Sequence, residues 1–410
     1  MSAPVTEVKV GLDFGSEIQP VGRLAIRDRI IYFEYNEAFI QKSLEISPFR
    51  LPLRRGVIEL PQRPFEGLAG VFSDSLPDGW GRLLLDRLLR SQGILPASIS
   101  PLDRLAHVGL SGMGALVYEP DNSPADNQGL IDLDHLALQT EQVLQGSSEE
   151  VLKELLALNG SSAGARPKAL IAVSSDRKQI TYGTGQLQQG FEPWLVKFPN
   201  TQDGQDSGAI EYVYALMAKE AGVLMPDVHL FSSQKGAGYF AVKRFDRDGN
   251  KRLHMHTAGG LLHSDFRTPS LDYENLLNLT GALTKDIREV EKMYRLAVFN
   301  VLAHNRDDHA KNFSFLMDEN GTWKLAPAYD LTFSSGMNAE QSTSVMGEGR
   351  NPKISHLTKL GQDAKLAKKL IEEIIDQTVN ALDNWNELAQ NHNVTKSNIR
   401  FVASAMNKNK

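Results

Sequence analysis

The chain has 410 residues, a formal net charge of −6, 41% hydrophobic residues and no cysteine. That length allows two or three domains with ample core, and the missing thiols exclude disulfides, thiolate catalysis and Cys-ligated zinc. The acidic balance argues against broad unaided binding to DNA phosphates; no apolar run approaches a membrane span, and Met1–Lys9 lacks the apolar core of a secretory signal, so a cytoplasmic location is expected.

The first hundred residues mix short strands and turns. A strand is predicted over Val8–Phe14 and a β-like stretch over Val21–Tyr35, with a turn at Arg27-Asp28-Arg29. Pro52, Pro61 and Pro64 mark loops. A helix opens after Leu76-Pro77-Asp78-Gly79-Trp80-Gly81 and runs from Arg82 to about Gln92. The glycine-rich run Gly109–Gly114 has no helix behind it and no later acidic partner, so it reads as a structural turn into a strand over Ala115–Tyr118. Glu119–Gln128, rich in Pro, Asp, Asn and Ser, is the expected linker.

Two helices follow. Ser147 with Glu150 makes a capping-box pattern ahead of Val151, Leu152, Leu155 and Leu156, and Asn159-Gly160 stops that helix. In the next loop Ser161, Ser162, Ala163, Gly164 and Ala165 are small enough for backbone N–H groups to cradle phosphate oxygens. The loop lacks the Gly-Lys-Ser/Thr of a Walker sequence and enters a strand, Ala169–Val173, so a plain turn is the alternative. Lys197 stands inside an apolar strand, where its ammonium either snorkels to the surface or meets phosphates and a carboxylate. Glu211, on the following helix, is the carboxylate for that pair. His254, His256 and His263 are too irregularly spaced for a metal site, which leaves one or two of them to line a nucleotide pocket.

Beyond about Arg247 the pattern turns mostly helical. Ile287, Val290, Tyr294, Ala297, Val298 and Val301 recur at helical spacing and deliver the chain into Asn305-Arg306-Asp307-Asp308-His309-Ala310-Lys311-Asn312. Four residues separate Asp307 from Asn312, and Asp330 follows eighteen residues after Asn312, across a hairpin of Phe313–Met317 and Thr322–Leu325 turned at Asp318-Glu319-Asn320-Gly321. That is the layout of a phosphoryl-transfer centre. Asn312 and Asp330 supply hard oxygen ligands for Mg²⁺, and Asp307 accepts the hydrogen bond of an attacking hydroxyl. A polar loop before a hairpin is the bland alternative. Two further helices are expected, about Asp363–Ala389 and Thr395–Met406. The whole reads as an α+β protein with a β-rich first lobe and a helical second lobe.

These segments together resemble the HipA-type serine/threonine kinases, the toxin halves of bacterial toxin–antitoxin pairs. The likeness runs through Leu76–Arg82, Gly160–Lys168, Leu195–Pro199, Val242–Arg247, Asp307–Ser314 and Pro327–Asp330. It implies a bilobal protein-kinase-like fold, with residues 1–120 as a β-rich subdomain, 121–247 as the rest of the N-lobe and 248–410 as the helical C-lobe. By position, Asp307 matches the catalytic Asp, Asn312 and Asp330 the metal ligands, and Lys197 the phosphate-contacting lysine. Lys243 and Phe245 fall where the hinge meets adenine, and His309 and Lys311 in a loop near the phosphates. Autophosphorylation in the glycine-rich loop, which ejects the loop and switches the kinase off, would fall on Ser161, with Ser162 as the alternative. The resemblance further implies ATP and Mg²⁺, a HipB-like helix-turn-helix antitoxin as the only route to DNA, no membrane, and an aminoacyl-tRNA synthetase or other translation factor as target. Arg166-Pro167 departs from the family's Gln-Glu, and Pro167 removes an amide donor from the loop's end. A catalytically weak nucleotide-binding co-repressor and a small-molecule kinase are the rival readings.

Overall fold

The computed structural model describes residues 4–124, 129–146, 149–159, 164–183, 187–200, 204–265, 267–268 and 270–408. Ser147 of the expected capping box, and Ser161, Ser162 and Ala163 of the glycine-rich loop, lie outside the described residues.

Strands β1 (Glu7–Leu12), β2 (Gln19–Arg27), β3 (Ile30–Tyr35), β4 (Val57–Glu59) and β5 (Leu116–Glu119) form an antiparallel sheet in the order β4-β3-β2-β1-β5. Asp28 and Arg29, at φ 52° and 65°, supply the two left-handed residues of a tight β2–β3 hairpin. The inward faces bury Val8, Val10, Leu24, Ile31 and Phe33. Between β3 and β5 lie α1 (Glu37–Gln41), α2 (Gly70–Ser73), α3 (Gly79–Ser91) and α4 (Pro101–Val108). A capping box of Ser100 and Asp103 starts α4. Helix α3 begins a turn earlier than Arg82 and buries Trp80, Leu84, Leu85, Leu88 and Leu89.

The second sheet has the order β7-β6-β8-β10-β9, built from β6 (Lys168–Ser174), β7 (Ile180–Tyr182), β8 (Phe191–Lys197), β9 (Val228–Phe231) and β10 (Tyr239–Lys243). Helices α5 (Leu133–Gln145), α6 (Glu149–Asn159) and α7 (Ser207–Glu220) accompany it. The apolar stripe of α3 packs into this unit's core with Leu136, Leu155, Ile171 and Trp194, whereas the first sheet shares its core with the C-terminal helices. The first 120 residues are thus clasped to both neighbours.

The C-terminal region holds a short hairpin of β11 (Arg247–Asp248) and β12 (Lys251–Arg252), then β13 (His254–Thr257), α8 (Ala258–Leu262), β14 (Leu271–Asp272), α9 (Tyr273–Thr284) and α10 (Ile287–Leu302). The expected hairpin forms as β15 (Ser314–Met317) and β16 (Trp323–Leu325), and Asp318 Oδ1 accepts the N–H groups of Asn320 and Thr322 in its turn. It gains a strand that periodicity did not reveal, because β13 pairs with β15.

That pairing corrects the reading of the histidines. His254 and His256 are fully buried in β13 and line no nucleotide pocket. His254 Nε2 lies 2.8 Å from the Ile46 carbonyl, while His256 bridges Asp74 (2.6 Å) and Ser47 (3.0 Å), so both tie this region to the first subdomain. His263 caps α8 in a left-handed conformation and accepts the Gly70 N–H. In α10 the expected stripe is buried except Ile287, which is 58% exposed in the first turn; Glu289 is buried instead and accepts the Leu325 N–H.

After β17 (Thr343–Ser344) the chain ends in α11 (Ile354–Asp363), α12 (Lys368–Asp383), α13 (Trp385–Asn391) and α14 (Lys396–Met406). The single helix expected over Asp363–Ala389 is therefore wrong at both ends. Lys365, at φ 60°, breaks the chain before α12, and Gly361 packs so tightly on Ile371 that a Cβ would fall within 2.8 Å of it. Asn384 ends α12 and starts α13, turning Trp385 into the core against Tyr214. The architecture is mixed α+β, β-rich toward the N-terminus and helical toward the C-terminus. Among the described residues no helix is long and apolar enough to cross a membrane.

Candidate active site

Helix α10 is released into the loop by His304, at φ 58°, and Asn305 N–H closes back on the Asn300 carbonyl. A buried chain of polar groups then fixes the loop. Asn305 Nδ2 donates to Asn300 Oδ1, Asn300 Nδ2 to the Tyr273 hydroxyl, and that hydroxyl to Asp308 Oδ2 at 2.7 Å. Asp308 also accepts from Gln341 Nε2 and from the N–H groups of Ser342 and Thr343. Burial pushes its pKa up to about 7 against those donors. Arg306 donates to the carbonyls of Ala339 and Arg350, pinning the segment beyond Asp330 to the same loop.

With Asp308 turned inward, its neighbour Asp307 is exposed toward the cleft. The surrounding protein raises the Asp307 pKa by desolvation; the neighbouring His309 opposes the rise and Asp330 adds to it. The short helical turn Ala310–Asn312 follows, and Asn312 Nδ2 donates to the Asp307 carbonyl at 2.7 Å. The amide oxygen of Asn312 is the atom left for other partners.

Asp330 arrives from the far end of the hairpin. The Tyr329 hydroxyl sits 2.5 Å from the Lys311 carbonyl and 2.6 Å from Ser314 Oγ, which draws the residues preceding Asn312 and Asp330 together. Asp330 itself has φ 57°, a left-handed conformation uncommon outside glycine that Asp adopts more readily than most residues. Its carboxylate is 2.5 Å from Lys197 Nζ. Burial opposes its charge, but Lys197 and Lys168 outweigh burial and hold its pKa well below the usual carboxylate range. Lys197 also pairs with Glu211 of α7. Desolvation works against the Lys197 ammonium, and Asp330 and Glu211 together more than restore it. At the hinge end the Phe245 ring lies 5.4 Å from that of Tyr329, while the Lys243 ammonium turns away to Glu192 at 2.6 Å.

Three further residues join this cleft that sequence reading did not assign. Lys168 is the cross-strand partner of Lys197 in the β6–β8 ladder and is buried beside it. Desolvation and then Lys197 lower its pKa to about 8, with Asp330, Asp78 and Glu211 opposing. Arg166 brings its guanidinium 3.8 Å from Glu211, and its charge is felt at Asp307 and Asp330. Asp78, from the first subdomain, takes the Lys311 ammonium at 2.8 Å and the N–H of Gly164. Only the ladder register of the folded sheet pairs Lys168 with Lys197; Asp78 lies in Leu76–Arg82, which carries part of the family likeness, but nothing in the chain pairs it with Gly164 or Lys311. Ala165 is exposed beside Gly164, and Ser161, Ser162 and Ala163 fall outside the described residues.

The donor set suits Mg²⁺. Asp330 stays ionised and Asn312 offers an amide oxygen, and a hard cation that keeps waters and phosphate oxygens needs few protein ligands. Among the described residues no cluster of three His, Cys, Asp or Glu side chains offers a site for a fully caged metal.

Likeness to known proteins extends over both the N-terminal and the C-terminal region. The HipA-like C-terminal domain model matches residues 160–385, and the HipA N-terminal domain model matches 15–119. Putative kinase Y4dM of Sinorhizobium fredii is 27% identical over 399 residues, 88% of this chain and 87% of the relative. The serine/threonine-protein kinase toxin HipA of Shewanella oneidensis is 27% identical over 286 residues, 62% of this chain and 60% of that protein. In fold, the chain resembles HipA solved with HipB and operator DNA from Shewanella oneidensis, at a TM-score of 0.69 and 18% identity, covering 98% of this chain and 95% of that one.

Proposed function

The chain belongs to the HipA family of kinase-like proteins, and from that premise we propose that it is an ATP- and Mg²⁺-dependent serine/threonine protein kinase, the toxin of a toxin–antitoxin pair. One observation carries the reading: the ion-paired chain Glu211–Lys197–Asp330 lies close enough to Asp307 for Asp330 and Lys197 to act on its charge. Lys197, Lys168 and Arg166 gather positive charge where a triphosphate must be held. Glu211 keeps the Lys197 ammonium in place inside an otherwise apolar strand. Asp330 and Asn312 would hold Mg²⁺, which when bound neutralises and orients the phosphate oxygens. Asp307, facing the cleft with a raised pKa, accepts the proton of the attacking serine or threonine hydroxyl. The Phe245 and Tyr329 rings offer apolar surface for the adenine.

Self-phosphorylation is assigned to Ser161, or alternatively Ser162. A phosphate there would add about two negative charges where the loop receives nucleotide phosphates, which opposes rebinding of ATP. The antitoxin is proposed to be a helix-turn-helix protein, in keeping with the HipB present in the Shewanella complex.

The test is a radiolabel or mass-shift assay of self-phosphorylation. Asp307→Ala should abolish label while melting like wild type; Asp330→Ala should also abolish label, at some cost in melting because Lys197 then keeps Glu211 alone as its partner. An Asp307→Ala protein that labels as well as wild type sinks the assignment. Tight ATP binding by wild type with no transfer to any protein would favour the co-repressor reading instead.

A further inference from the structure

The kinase reading needs two loops to close on the phosphates, and the structure shows both held by a third segment. Asp78 stands at the N-cap of α3, in the first subdomain. One carboxylate oxygen accepts the N–H of Gly164 in the glycine-rich loop, and the other lies 2.8 Å from Lys311 Nζ in the catalytic loop. Both side chains of the Asp78–Lys311 pair are largely buried, 16% and 12% exposed, so the link is shielded from solvent. Trp80 N–H then donates to the Gly164 carbonyl at 3.0 Å, so both backbone polar groups of Gly164 are taken by this segment.

The fit leaves no room for a side chain between them. Gly79 has φ 42°, and a Cβ there would fall 2.5 Å from the Gly164 carbonyl oxygen. One turn earlier, Asp74 accepts the N–H and hydroxyl of Thr257 and contacts His256, anchoring the same segment to the C-lobe. Burial opposes the Asp78 charge, but Lys311, joined by the Gly164 N–H and Lys168, outweighs burial and lowers its pKa.

We propose that Asp78 is a positioning residue for phosphoryl transfer: it ties Gly164, at the end of the glycine-rich loop, to Lys311 of the catalytic loop, so the first subdomain contributes to the nucleotide site. Lys311 then acts as a strut between loops, its charge spent on Asp78. This inference rests on the kinase reading and assigns a role that reading does not use. Asp78 touches no reacting atom. A mere inter-domain tie would change melting and leave nucleotide handling alone.

The experiment uses the full-length chain, with ATP–Mg²⁺ affinity from displacement of a fluorescent nucleotide and self-phosphorylation measured at saturating ATP. Asp78→Ala should weaken ATP about tenfold or more and slow labelling similarly, since a buried charge-assisted bond is lost. Lys311→Met, which cuts one arm of the same link, should do so to a smaller degree and stands in if Asp78→Ala does not fold. The double variant should be no worse than Asp78→Ala, because both changes break one connection. A folded Asp78→Ala protein with wild-type affinity and rate overturns the proposal, as does a double variant whose loss is the product of the two single losses. Were wild type to show no Asp307-dependent label while Asp78→Ala still weakened ATP, the transferase reading would fall and the role of Asp78 in the nucleotide site would stand.

Discussion

The two walls of the cleft are built on opposite principles. On the N-lobe wall Lys168 and Lys197 belong to regular strands, brought side by side by ladder register, and Glu211 comes from a helix. On the C-lobe wall Asp307, Asn312 and Asp330 sit on irregular backbone held by individual hydrogen bonds. Desolvated ammonium groups must find carboxylates, so the first wall depends on partners far along the chain. The second wall is set by spacing within one loop and one hairpin, and its own buried carboxylate, Asp308, does the anchoring. Charge pairing on one side is wholly tertiary; on the other, local spacing orders the groups and Asp308 fixes them through partners 33–35 residues away.

The sharpest way to break this contrast is Lys197→Met. It leaves Glu211 buried without its main cation, and removing one partner of a buried pair costs about 3–5 kcal/mol. Melting should drop markedly and self-phosphorylation should be lost. A variant that melts like wild type would mean that the N-lobe wall does not depend on this pair. Arg166→Gln, at a half-exposed guanidinium, should melt normally but weaken ATP about tenfold while changing ADP little, if its charge serves the terminal phosphate. Equal weakening of both nucleotides in titration calorimetry would remove Arg166 from that role.

A pH-dependent effect is expected on the other wall. Asp308 has its folded-state pKa raised to about 7, above the ordinary carboxylate value. Between about pH 4 and pH 7 the folded state keeps a proton that the unfolded chain has released. Its contribution to stability is therefore greatest below about pH 4 and is lost as pH rises toward 7. Denaturant unfolding across that range should show this slope, and Asp308→Asn should flatten it; an unchanged slope would show that Asp308 does not titrate there.

Much of the C-lobe wall was legible because its chemistry is written in short intervals. Four residues between Asp307 and Asn312, and an Asn-Gly turn before Asp330, each have a local physical reason. Helix α10 was legible from its period, although Ile287 showed that a stripe's first member need not be covered. Strand β13 was not, since alternating His and Met carries no clear pattern and its partner lies sixty residues away in Ser314–Met317. The break between α12 and α13 was missed because Asn384 stops a helix only when Trp385 has a core to enter.

What the residues alone indicated are most of the elements, the spacing of Asp307, Asn312 and Asp330, and the oxygen-bearing side chains that these three present, because these follow from neighbours within a few turns of chain. What only the assembled molecule decided is which charges meet. Lys168 beside Lys197, Arg166 near Glu211, and Asp78 between Gly164 and Lys311 arise where segments up to 233 residues apart are buried together. Desolvation makes such pairings matter, and it acts only once the chain has folded.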